Sequence, residues 1–216
     1  MDLSPAAFTI LYLVYGLAFF SLGVIALVLP RGDGTLPFAR HFWLLALFGL
    51  VHGTYEFLQA AGLHYPPARD LWLNATWQLL SYVPLLEFGR RALIASHARI
   101  RLDALWLYPV IVAGLLLVIG MAEDPGRGLA NGGRYLVGFP GALLVGLAFW
   151  FLLRRPALRA PQPGDHGRHY PAVATLALAF LGYALLTPFP GTVDPGLPGW
   201  LPTYGDFLEA TGLPVQ

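Results

Sequence analysis

The sequence contains no cysteine and no lysine, and only 12% of its residues are charged. Without cysteine there is no disulfide, no thiolate nucleophile and no sulfur ligand for a metal. Without lysine, all thirteen basic residues are arginine, a compositional bias without mechanistic weight. A water-soluble domain of this length needs far more polar surface than this charge content supplies. The formal net charge is only +1, so nucleic acid is not an expected partner. Neither an HExxH pair nor a phosphate-cradling glycine loop occurs, and Ser81 and Ser96 have no base beside them; no catalytic residue is assigned.

What fills the chain instead is apolar sequence, 56% of residues being hydrophobic. A helix of about 20 apolar residues crosses a hydrocarbon core of roughly 30 Å. Runs of that kind lie near 7–29, 38–61, 71–93, 104–121, 134–153 and 170–188, and 200–216 reads as the first half of a seventh. Backbone polar groups in lipid must be bonded within their own segment, so the expected fold is an all-α polytopic bundle. The first run is too long for a signal-peptide core and has no basic leader, so it reads as a retained helix. The longest polar connection, 154–168, is short and proline-rich, and the whole chain 1–216 reads as one transmembrane domain.

The arginines fall in alternate connections. Arg31, Arg40, Arg90, Arg91, Arg99, Arg101, Arg154, Arg155, Arg159 and Arg168 lie on one side, and only Arg69, Arg127 and Arg134 on the other. The basic excess marks the cytoplasmic side, so the N-terminus is expected outside. The seventh segment then travels inward, with Trp200 and Tyr204 at its outer boundary. With that segment heading inward at Gln216, a cytoplasmic portion is expected to follow it.

Ionisable residues at membrane depth are the candidate site. His52 and Glu56 stand four apart, on one helix face, and His41 lies three turns earlier, nearly in line, which predicts a polar stripe. The plainer reading is a structural hydrogen bond. The functional ones are a ligand for haem b or another metal, a proton-sensing pair, or part of a small-ligand pocket. Gly49 and Gly53 leave room beside His52 for a flat macrocycle. His64 with Asp70 on the outside could hold an ion such as copper. On the inside, His41 could join His97, His166 and His169. Glu87 lies one turn from Arg90 and Arg91, the pattern of a salt-bridged helix end. Arg134 opens the fifth span at a depth near Glu56, where it could make a bidentate contact with that carboxylate or, more plainly, face a lipid headgroup. Pro140, with Gly138 and Gly141, should kink or loosen that span. Gly138, Gly141 and Gly146 are also possible dimer contacts.

The strings YGLAFFSLG (15–23), FGLVHGTYEFL (48–58), LLEFGRRAL (85–93), RYLVGFPGALL (134–144) and FLEATGLPVQ (207–216) resemble the amino-terminal membrane module of bacterial sensor proteins. In that group the module precedes PAS, histidine-kinase or diguanylate-cyclase domains. The resemblance implies a homodimeric signal-input domain that passes a conformational change through its last helix to a cytoplasmic output domain. It marks His52, Glu56, Glu87 and Arg134 as the positions that matter. A haem-bearing electron carrier or a small transporter or channel is the alternative.

Overall fold

The computed structural model describes residues 5–29, 36–61, 69–97, 102, 104–155 and 169–187. Within them the chain is helical throughout and has no strand. In chain order the α-helices are α1 (Pro5–Val28), α2 (Phe42–Ala60), α3 (Arg69–Ser96), α4 (Ala104–Met121), α5 (Pro125–Gly133), α6 (Phe139–Leu153) and α7 (His169–Leu186). A 3-10 turn, Ala39–His41, leads into α2, and a π turn, Arg134–Gly138, joins α5 to α6.

The apolar residues point outward as well as inward. Leu17, Val28, Leu116 and Leu185 are each more than half exposed, and such residues cover much of α1, α4 and α7. Among the described residues two helical stretches are long and apolar enough to cross a membrane, Thr9–Val28 and Pro125–Leu153, and Trp106–Met121 and Pro171–Leu186 are shorter apolar helices. The first six expected segments therefore form helices, and two of the stretches have the length and apolar composition that a crossing needs. Helices α2 and α3 are not among these apolar stretches.

Glycines set the closest approaches. A Cβ at Gly49 would lie 2.6 Å from the Gly23 nitrogen and the Phe19 carbonyl oxygen, and one at Gly53 2.7 Å from the Phe20 nitrogen. Backbone of α1 thus lies directly on α2. Next along the bundle, α3 packs between α2 and α6, and α6 packs on α7. At the expected inner end, Phe38 meets Phe88 edge-on at 5.9 Å and Phe149 at 5.3 Å, forming an aromatic floor. Arg155 closes the end of α3, donating through Nη2 to the carbonyls of Ala95 at 2.7 Å and Ser96 at 2.9 Å.

Two local features differ from expectation. The connection after α4 is helix α5 rather than a loop. Asp124 caps it, its carboxylate accepting from the backbone N–H of Gly126 at 2.8 Å and Arg127 at 3.1 Å, and Pro125 occupies the first turn, where no N–H is needed. The proline in the fifth span is accommodated by a widened turn. The Phe139 N–H reaches back to the Arg134 carbonyl, and this extra residue relieves the crowding that the Pro140 ring would impose on a regular helix. Gly138, Gly141 and Gly146 are not free for a dimer interface. They press on Tyr82 and Thr187, on the Leu86 backbone, and on Leu181 of the same chain. The half-span 200–216 lies outside the described residues.

Candidate functional site

His52 sits midway along α2 and is buried, 1% exposed. Its Nδ1 lies 2.9 Å from the Ser81 hydroxyl on α3, so Ser81, expected to have no base beside it, has an imidazole supplied by another helix. Ser81 has one proton and donates it to the Gln78 carbonyl at 2.6 Å. The hydroxyl must therefore accept from His52, which places the imidazole proton on Nδ1 and a lone pair on Nε2. That lone pair faces the Glu56 carboxyl at 3.5 Å and the Tyr183 hydroxyl of α7, also at 3.5 Å. Both separations exceed an ordinary hydrogen bond, so the imidazole is anchored on one side and loosely engaged on the other.

The surrounding shell is aromatic. Phe19 of α1 meets the imidazole edge-on at 4.7 Å, Phe48 stacks on it at 5.2 Å, and Tyr82 of α3 lies at 5.3 Å. Tyr183 extends the polar contacts to Tyr15 and Tyr82. The cluster thus draws one polar group or more from α1, α2, α3 and α7.

Arg134 completes it from the π turn. Counted from Pro125 it stands nine residues into the helical stretch, about 14 Å along the axis at 1.5 Å per residue. This is well past the helix start, level with Gln78 and the cluster. Its partner is not the expected Glu56. With the Gln78 amide oriented to satisfy both groups, Nε and Nη2 each donate to its oxygen at 3.1 Å. Among the described residues no ion pair joins Arg134 to Glu56. Gln78, buried beside Ser81, instead links the arginine to the serine that holds His52.

Haem does not fit here. The space expected beside Gly49 and Gly53 is filled by the α1 backbone, and Phe19, Phe48 and Tyr82 close on the ring. The predicted polar stripe also breaks. His41 lies before α2, bonded at 3.0 Å to the Arg40 Nε–H, and buried Leu45, Phe48 and Gly49 separate it from His52. Among the described residues no three His, Asp or Glu side chains come together as a metal set. His64 and His166 lie outside the described residues, as do the side chains of Asp70 and His169. His97 packs on Phe151, with ring centroids 4.7 Å apart.

The expected helix-end ion pairs are present. Glu87 accepts from Arg90 Nε at 2.7 Å and Nη2 at 2.8 Å, and from Arg91 Nε at 2.5 Å. Tyr108 of α4 also donates its hydroxyl to Glu87, a link between helices that residue spacing did not reveal. Ser81, Gln78, Tyr82 and Tyr183 were likewise missed as site residues. Polar residues inside apolar runs were the available signal, but their partners come from other helices. No known family's profile matches this chain, and no curated protein or solved structure matches it.

Proposed function

We propose that this chain is the membrane-embedded input domain of a bacterial signal-transduction protein, with six helices crossing the inner membrane and the N-terminus outside. The observation that carries the reading is the His52 cluster. Burying several polar groups inside an apolar bundle is costly unless they are paired, and such groups usually serve a function. Here they join four helices and the π turn through a histidine with one firm and two loose contacts. A proton taken up by the Glu56 carboxyl and shared with Nε2, or a small polar ligand there, would draw Glu56 and Tyr183 inward, and Tyr183 would carry the displacement into α7. A stimulus read this way needs two arrangements of the helices with different affinity for it. The alternating arginines, the apolar exterior and the resemblance to sensor modules support the same reading. As a homodimer, the domain would hand the change to a cytoplasmic output domain, and no catalytic step is assigned to it.

The test uses the absence of cysteine. Ile10→Cys and Leu185→Cys, both at exposed outer positions, accept spin labels without background. In vesicles their distance distribution should shift between pH 5 and pH 8, and His52→Ala or Glu56→Gln should abolish the shift. A distribution that ignores pH and added small polar ligands in the unsubstituted site would reject the assignment.

A further inference from the structure

Helix α4 packs on α5 and the π turn and leaves a cleft of 310 Å³ between itself, α3 and α6. Its walls include Leu86, Leu107, Ile111, Leu136, Pro140 and Leu143, all without a charged or hydrogen-bonding side chain. This volume is at the small end of ligand sites, about 300–1,000 Å³, and its lining matches a hydrocarbon chain rather than a polar molecule.

The expected inner end of the cleft is charged. Leu86 and Leu107 directly precede Glu87 and Tyr108, and Leu102, another wall residue, accepts from Arg90 Nη1 at 3.0 Å. Arg90 is therefore engaged through Nη1 on that carbonyl and through Nε and Nη2 on Glu87. Arg91 gives Glu87 only its Nε, and its side chain is 39% exposed. Among the described residues, one carboxylate between two guanidiniums leaves one positive charge in excess, and it sits on the more exposed arginine.

We infer that this cleft holds an acyl chain of an anionic phospholipid from the inner leaflet, with the phosphate on Arg91. A guanidinium matches phosphate oxygens in charge and geometry. The chain is common to all phospholipids, so the excess charge at the mouth supplies the selectivity. Leu136 lies in the π turn and Pro140 just beyond it, so the same chain lies against the segment that carries Arg134.

The inference rests on the reading of α3, α4 and α6 as membrane-crossing helices, and the test separates the two. The protein is reconstituted into phosphatidylcholine vesicles, recovered by flotation, and probed with spin-labelled phosphatidylglycerol or spin-labelled phosphatidylcholine. The motionally restricted fraction should favour phosphatidylglycerol at least threefold. Arg91→Gln should bring that ratio close to one, and Leu143→Trp, which fills the cleft, should remove about one restricted phosphatidylglycerol per protein. Equal association of both lipids, or a preference that survives both substitutions, overturns the site. Should Arg91→Gln fail to fold, Leu143→Trp decides alone. Protein that does not float with the vesicles overturns the membrane reading as well.

Discussion

Ser81 has a single proton, and that proton decides how the site works. Because the hydroxyl donates to the Gln78 carbonyl, it acts only as an acceptor toward His52, and the histidine tautomer follows. Ser81→Ala should leave a buried N–H without a partner, at a cost of about 1–3 kcal/mol. His52→Phe in the Ser81→Ala background removes the stranded donor and should restore much of that loss. Thermal unfolding in detergent of the wild type, both single variants and the double variant measures the coupling. Strict additivity would mean that the Ser81–His52 bond does not hold the ring. The His52–Glu56 pair was legible from spacing alone, since residues four apart share a helix face. Ser81, Gln78 and Tyr183 were not, because which helix lies opposite which is a tertiary fact. Arg134 was matched to Glu56 on charge, and the structure gives it to a neutral amide.

Helix–helix spacing rests on where glycines stand. At Gly49 a methyl group would meet backbone atoms of α1 at 2.6 Å, and backbone cannot swing aside. Gly49→Ala should separate α1 from α2 and cost on the order of 1–3 kcal/mol, as overpacking does. Gly120 in α4 has nothing within 4 Å of the same added carbon, so Gly120→Ala should be neutral or stabilising by up to about 1 kcal/mol. Midpoints of thermal unfolding in one detergent compare the two, and equal effects would contradict the packing described. The principal helices were legible because each apolar run is long, and their ends fell within a few residues of those expected. Helix α5 was not. The expected span begins only at 134, although Asp124 followed by Pro125 is a helix-start signal and four glycines, Gly126, Gly128, Gly132 and Gly133, lie between. There the poor intrinsic propensity of glycine is outweighed by proximity. A Cβ at Gly128 would lie 2.8 Å from the Ala122 side chain and 3.0 Å from the Ile119 backbone.

For the molecule as a whole, the orientation proposed from alternating arginines is open to direct labelling. Glu123→Cys should react with a membrane-impermeant maleimide on intact cells, and Arg154→Cys only after the membrane is permeabilised. Both positions are exposed in the fold, so the reverse pattern, or equal reaction, would refute the N-out arrangement. The π turn has a further consequence at this scale. It amounts to one surplus residue, and each helical residue advances the chain by about 100° of rotation at 3.6 residues per turn. Above it, α5 is phased to lie on α3 and α4; below it, α6 is phased to lie on α3 and α7. Deleting a single residue between 134 and 138 would put these two halves out of phase by that angle. One half could keep its neighbours only by turning the other, so Arg134 would lose Gln78 or Gly141 would lose its seat on Leu86. The buried cluster therefore depends on chain length at this point as much as on the identity of its residues.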